Sequence, residues 1–413
     1  MLDVLLIRPH RPSDPSQSPL TLGDRRQPLG LGFLQAYLQQ FGFRVEILDN
    51  DIQTPPVGTV EWTVAYARAK RPRFIGVYVH SAGVPEALAL LQALRKGTDA
   101  KLMVGGPHYT LFPEDAPDYI DHVVVGEGEL ALLDIVSGET TERIHRRELI
   151  ADLDTLPWPS YDYFINQDYI FDIAMFDMKP TVVSVNSSRG CPYGCTFCGT
   201  QAIWGRRYRI FSAEKIYDYI RELRARHNVR GIYFREDNFI CNVKRVTTFC
   251  HLILRDDFPV EWACEARVDT LDRHPEMLEQ MASAGCRGLY IGVESGSPRV
   301  LELMNKQITV EQIERVFAAS KKYGVKTYAS MCYGIPGETP EDREETRRML
   351  ERIKPDAISE AVFIGIPKSP LYDWMRENNA YYHEDERRFL YPNGYRELCS
   401  LFYGKSGDKR FIP

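Results

Sequence analysis

The 413-residue sequence has no excess of positive charge: 51 Lys and Arg stand against 57 Asp and Glu, a net charge of −6. A broad nucleic-acid footprint needs a basic face, so that class is excluded and only local basic pockets remain open. No apolar run is long enough to span a bilayer, and no membrane insertion is expected. The opening residues, Met1-Leu-Asp-Val-Leu-Leu-Ile-Arg8, lack a basic start and a small-residue cleavage site. They read as a first strand rather than a secretion signal, and a cytoplasmic location is the expectation. There is no repeat of solenoid length and no low-complexity tract. Cysteine is scarce and odd in number, nine in all. Cys241, Cys250, Cys264, Cys286, Cys332 and Cys399 are scattered, and in a reducing compartment they read as small core residues.

What is present is an ordinary globular composition, 44% hydrophobic and 26% charged. The length exceeds what one core usually holds, so two or three domains are expected. The first third alternates short apolar runs with helical spacing. Strands are expected at Val4–Ile7, Phe43–Leu48, Phe74–Val79, Lys101–Val104 and His122–Val125, with helices at Leu29–Gln40 and Val84–Arg95. This pattern predicts a doubly wound parallel sheet over residues 1–139, an α/β fold whose ligands bind at the strand carboxyl ends. His80-Ser81, Gly105-Gly106 and Gly126-Glu127 stand at those ends and are candidate binding residues. Residues 140–179, poor in period and including Pro157 and Pro159, read as a linker.

A second series starts at Thr181. Its expected strands are Val182–Asn186, Gly231–Phe234, Val260–Ala266, Gly288–Val293, Lys326–Tyr333 and Ala357–Ile364, separated by capped helices. Six βα units over 180–368 predict a partial (β/α)6 barrel with its chemistry at the strand carboxyl ends. Residues 369–413 form a short tail, a candidate cover for substrate, in which Tyr381-Tyr-His383 and Arg387-Arg388-Phe are candidate lining groups and a solvated helix is the plainer alternative.

The clustered cysteines lie directly after the first strand of this second series, in Ser187-Ser-Arg-Gly-Cys191-Pro-Tyr-Gly-Cys195-Thr-Phe197-Cys198-Gly. Three thiolates spaced four and three apart can wrap one [4Fe–4S] cluster and leave one iron without a protein ligand. A structural zinc site needs a fourth ligand, and no neighbouring His or Cys supplies one. Cys-x3-Cys-x2-Cys with an aromatic before the last cysteine, opening the first loop of a βα barrel, resembles the radical S-adenosylmethionine (SAM) superfamily. The resemblance runs over essentially the whole chain.

In that family the methionyl amino and carboxylate groups of SAM chelate the open iron, and reduction of the cluster releases a 5′-deoxyadenosyl radical. An external electron donor such as flavodoxin or ferredoxin is implied. The resemblance assigns cofactor contacts to Phe197, to the acidic pair Glu236 and Asp237 after the second strand, and to Arg267 in Cys264-Glu-Ala-Arg as partner of the SAM carboxylate. Glu294 and Ser295 in Ile291-Gly-Val-Glu-Ser resemble the ribose-binding motif. Gly334, Gly337 and Glu338 resemble the loop along adenine. A zwitterion does need one carboxylate and one guanidinium held apart. Taken singly, Glu294 also suits a helix cap and the glycines a common turn.

The first domain resembles the Rossmann-like cobalamin-binding domain that precedes many such enzymes, through Val4-Leu-Leu-Ile-Arg-Pro, Val104-Gly-Gly-Pro-His-Tyr and Val125-Gly-Glu-Gly-Glu129. Trp204-Gly-Arg-Arg-Tyr-Arg209 and Asn305-Lys-Gln-Ile-Thr extend the likeness to the cobalamin-associated branch, which includes methyltransferases and the anaerobic ring cyclase. Two departures stand out. The Asp-x-His-x-x-Gly motif that ligates cobalt is absent, and Arg235 occupies a place expected to be apolar or acidic.

The resemblance implies [4Fe–4S], SAM and cobalamin as cofactors and methylation of an unreactive carbon of a small-molecule substrate. The alternative keeps the radical and drops cobalamin, giving a dehydratase, epimerase or cyclase with a vestigial first domain. It needs acid–base or hydrogen-donor groups, for which Glu236, Tyr333, Cys332, Glu360 and Tyr328 are candidates; strand tyrosines are more often core or rim residues. A non-catalytic metal scaffold would account for the cysteines but not for Arg267, Glu294 and the glycine loop.

Overall fold

Strands that are covered on both faces need continuous apolar runs, and Val4-Leu-Leu-Ile-Arg8 is buried at every position. The computed structural model describes residues 2–10, 27–53, 57–167, 169, 176–178, 181–385 and 388–402. The chain divides into two compact units, the first closing at Ile170 and the second continuing from Phe171.

The first unit is a parallel six-stranded sheet of β1 (Val4–Arg8), β2 (Val45–Asp49), β3 (Phe74–Tyr78), β4 (Lys101–Gly105), β5 (His122–Val125) and β6 (Ile144–Arg146). Its order is β2-β1-β3-β4-β5-β6, so the winding reverses between β1 and β3. Leu5, Ile7, Ile75, Val77, Leu102 and Val104 pack against Ala87, Leu90, Leu91 and Leu94 of the helix Val84–Gly97. The expected strand at Phe43–Leu48 begins two residues later, at Val45. β6 was not expected at all. Its three residues, Ile144-His-Arg146, sit among polar neighbours and show no apolar period; only pairing with β5 makes them a strand.

The second unit is a parallel six-stranded sheet in the order β14-β13-β12-β11-β10-β7. Its members are β7 (Val182–Val185), β10 (Gly231–Phe234), β11 (Glu261–Arg267), β12 (Cys286–Glu294), β13 (Lys326–Tyr333) and β14 (Ala357–Val362). β7 and β14 are its two edges, as an open barrel requires. The two-residue strands β8 (Ser188–Arg189) and β9 (Arg209–Ile210) pair antiparallel and close off the cysteine loop between them. In the tail, β15 (Tyr381–Glu384) pairs antiparallel with β16 (Leu390–Pro392).

Side chains alternate across each strand, so one sheet faces two cores. Trp262 and Phe234 point to the helix side, where Phe239 and Phe249 complete a fully buried aromatic group. On the other side Phe176 packs with Val182 and Ala263, beside Tyr233 and Tyr328. Phe176 lies so close to β12 that a Cβ on Gly288 would come within 1.9 Å of its ring, so this strand position has room only for glycine.

Candidate functional site

The cysteine loop hangs from the carboxyl end of β7 and is tied down on three sides. Gly190, at φ +84°, turns the chain where a Cβ would stand 2.1 Å from the Arg207 carbonyl. Thr196 donates from its backbone N–H to the Met304 carbonyl at 2.9 Å and from its hydroxyl to Leu303 at 2.9 Å. Asn305 donates to the Gly194 carbonyl at 2.8 Å, and Gln201 to the Cys195 carbonyl at 3.3 Å. In the tail, the Leu371 N–H reaches the Thr196 carbonyl at 2.9 Å.

The thiols of Cys191, Cys195 and Cys198 are all free of disulfides. Burial pushes the Cys191 thiol up to about 11 and raises Cys198 as well, so neither ionises readily without a metal to displace the proton. Donors nevertheless stand ready for the charged form. Arg267 Nη1 lies 3.5 Å from Cys195 Sγ and the Thr200 N–H 3.5 Å from Cys198 Sγ, while the Cys198 thiol donates to the Thr200 hydroxyl at 3.3 Å. Among the described residues no three His, Cys, Asp or Glu side chains converge tightly enough for a single metal ion.

Arg267 closes β11 and is buried. Its Nε donates to Asp269 at 2.8 Å and its Nη2 to the Lys306 carbonyl at 2.7 Å, and its guanidinium lies 3.6 Å from the Tyr193 ring centre. The Lys306 ammonium donates to Glu294 at 2.7 Å, a buried ion pair resting against Gly292, the Cα partner of Arg267 in the sheet. Glu294 adopts a left-handed φ of +71°, where the β12–β13 register shifts. Arg267, Glu294 and the cysteine loop are thus gathered at one end of the sheet, with Phe197 packed against the group that holds Cys332.

The acidic pair after β10 is split. Glu236 is buried, and its carboxylate accepts from the Ser187 N–H at 3.0 Å and hydroxyl at 2.5 Å, with Arg245 3.5 Å away. Desolvation raises its pKa against the pull of Arg245. It braces the start of the cysteine loop to the helix Val243–Arg255 rather than facing solvent. Asp237 is open to solvent yet ringed by chain that raises its carboxyl pKa, and it accepts from the Thr200 hydroxyl at 3.3 Å.

Ser295 is also internal, 3.1 Å from the Thr346 hydroxyl. Glu338 accepts from the Gly334 N–H at 2.7 Å and from Arg343 at 3.3 Å, which folds the Gly334–Gly337 turn back on itself. Cys332 is buried and its thiol pKa is raised by desolvation, so it stays protonated. Tyr333, the next residue, points to the opposite face of the sheet. There it stacks on Phe402 at 4.3 Å and its hydroxyl donates to Glu360 at 3.3 Å. Arg267 thus touches the cysteine loop directly, Asp237 through Thr200 and Glu294 through Lys306, whose ammonium lies 5.9 Å from the Phe197 ring centre, while Glu236 is taken up by Ser187 and Arg245 and Tyr333 by Phe402 and Glu360. In the tail, Tyr381 joins the Cys332 group, while Arg387 lies outside the described residues.

In the first unit the candidate residues stand at the ends of β3, β4 and β5. His80 Nδ1 accepts from the Ala82 N–H at 3.2 Å. Ser81 is buried and meets His108 Nδ1 at 3.3 Å, which turns that imidazole into the protein. Gly106, at φ +100°, approaches the Val79 carbonyl too closely for a Cβ, whereas Gly126, at φ +83°, faces open space. Glu127 is buried and accepts from the Ile150 N–H at 2.7 Å. Small residues and an open Gly126 make a low rim that suits the approach of a flat macrocycle.

Residues 185–350 match the Radical SAM superfamily, and residues 20–136 match the B12 binding domain. The chain carries a radical SAM domain and a B12-binding domain. Among its relatives is an uncharacterised methyltransferase of Pyrococcus horikoshii, 26% identical over 404 residues, covering 92% of this chain and 84% of that protein. Another is the anaerobic magnesium-protoporphyrin IX monomethyl ester cyclase of Rubrivivax gelatinosus, 26% identical over 396 residues, covering 88% and 69%. The solved structure of OxsB, a cobalamin-dependent SAM radical enzyme with aqua-cobalamin and SAM bound, superposes with a TM-score of 0.78 at 18% identity. The match covers 98% of this chain and 67% of that one, and it establishes the shared fold. No helix among the described residues of this radical SAM protein is long and apolar enough to cross a membrane.

The clamp around Arg267 was only half visible beforehand. Arg267 itself stands out by position, but Tyr193, Asp269, Arg273 and Lys306 carry no spacing that marks them. The available signals are the segments themselves: Tyr193 lies in the cysteine loop, Asp269 in Cys264-Glu-Ala-Arg-Val-Asp and Lys306 in Asn305-Lys-Gln-Ile-Thr.

Proposed function

We propose that this radical SAM enzyme is a cobalamin-dependent methyltransferase acting on an unreactive carbon of a small molecule. The observation that carries the reading is the pairing of the two domains in one chain. A free three-cysteine loop with sulfur-directed donors sits in one unit, and a glycine-lined rim at the ends of β4 and β5 in the other. When bound, the cluster and SAM supply radical chemistry, and the corrinoid supplies a transferable methyl group. Cys191, Cys195 and Cys198 would ligate the cluster. Asp237, Glu294 and Phe197 would border SAM, and Ser81, Gly105, Gly106 and Gly126 would border the corrinoid. The chain's own share is to hold these groups, to order the loop through Arg267 and Asn305, and to keep Cys332 as a buried thiol.

The test is anaerobic reconstitution with iron, sulfide and hydroxocobalamin, then desalting and an absorption spectrum. About four irons and about one corrinoid per chain support the proposal. Four irons with no retained corrinoid overturn it and leave the cobalamin-free dehydratase, epimerase or cyclase. The cyclase relative favours ring closure within that second reading. Electron supply by an external flavodoxin or ferredoxin and a cytoplasmic location belong to the same proposal.

A further inference from the structure

Arg267 has a relation to the cysteine loop that differs from pairing with a bound carboxylate. Its Nη1 points at Cys195 Sγ from 3.5 Å, and both residues are buried, 6% and 7% exposed. The guanidinium cannot swing away from that sulfur, because each of its other edges is held. Nε is fixed by Asp269 at 2.8 Å and Nη2 by the Lys306 carbonyl at 2.7 Å. The Tyr193 ring lies against its flat face at 3.6 Å, and Tyr193 belongs to the same cysteine loop. The circuit then closes on itself: the Tyr193 hydroxyl donates to Asp269 at 2.9 Å, and Arg273 secures the same carboxylate oxygen at 2.7 Å. Loop, strand end and the helix Val268–Arg273 thereby hold one cationic N–H on one sulfur.

We infer that Arg267 is a positioning residue that tunes the reduction potential of the cluster by donating a charged hydrogen bond to the Cys195 thiolate. Adding an electron to the cluster increases negative charge on its sulfurs. A fixed cation at 3.5 Å in a water-poor site stabilises that reduced state more than the oxidised one. Its removal must therefore make reduction harder, and the effect exists before SAM binds. The inference rests on the cluster assignment of the three cysteines, which iron and sulfide content of the wild-type protein decides separately.

The experiment is a potentiometric titration of the reconstituted, full-length enzyme without SAM, followed by electron paramagnetic resonance of the reduced cluster. Arg267→Gln is expected to lower the equilibrium constant for reduction roughly tenfold, about 59 mV for one electron. Arg267→Lys keeps the charge but loses the fork, and an intermediate shift is expected. Should Arg267→Gln fail to hold a cluster, Asp269→Glu is titrated instead; it keeps the charge but displaces the acceptor of Nε and loosens the aim of Nη1, and a smaller shift of the same sign is expected. A wild-type potential in a cluster-loaded Arg267→Gln or Asp269→Glu variant overturns the inference, including the case where only SAM affinity falls.

Discussion

A thiolate that ligates iron needs neighbours that offset its charge without competing for the metal, and the groups around the three cysteines are of that kind. They are N–H donors from Arg267 and Thr200; the carboxylates of Asp269 and Glu236 are already occupied by Arg267, Arg273, Ser187 and Arg245, and that of Asp237 accepts from the Thr200 hydroxyl. The Glu294–Lys306 pair is more exposed to substitution, since its side chains are only 10% and 6% accessible. Lys306→Met leaves a buried carboxylate without its cation and is expected to cost about 3–5 kcal/mol by urea denaturation, with the Glu294→Gln, Lys306→Met double variant recovering much of the loss. An unchanged midpoint for the single variant would mean that water reaches Glu294. Gly288→Ala forces a methyl into the Phe176 ring and should cost about 1–3 kcal/mol. Adding Phe176→Leu should restore part of it in thermal melts; no recovery would place the strain elsewhere.

At the scale of elements, β5 and β6 meet through two buried imidazoles. His122 Nδ1 lies 3.0 Å from His145 Nε2, and burial depresses the pKa of both below 6.5. The unfolded chain therefore binds more protons than the folded one below that value, so stability rises with pH through this range. The contribution is complete above about pH 6.5 and is lost as pH falls through the depressed folded values. Denaturation of His145→Gln against wild type between pH 7.5 and 5 checks this. The wild type should lose stability faster on acidification, and parallel curves would show that the pair stays neutral or leaves the edge before it titrates. The short β6 makes the same point about length: three residues hold their place by pairing with β5, not by propensity.

At the scale of the molecule, the two units carry separate cofactor assignments, and these should come apart by mutation. Replacing Cys191, Cys195 and Cys198 together by alanine is expected to abolish bound iron while corrinoid retention stays near one per chain. Corrinoid lost along with iron would show that the first unit does not bind it by itself. The parallel strands of both sheets other than β6, many of the helices between them and the cysteine loop at the head of the second series were legible from local pattern. Apolar runs, capping residues and cysteine spacing act within a few residues of each other. Which acidic residue of Glu236 and Asp237 stays open was not legible, because Ser187 and Arg245 reach Glu236 from 49 and 9 positions away in the chain. Nor was the side taken by Tyr333, which the Phe402 ring of the tail decides, or the hold on Arg267 by Tyr193 and the Lys306 carbonyl. The sequence by itself determined the order of the elements and the chemistry available at their ends. The tertiary structure alone decided which side chains spend their charge on one another and which remain for a ligand, since a buried polar group bonds to whatever the fold brings within about 3 Å.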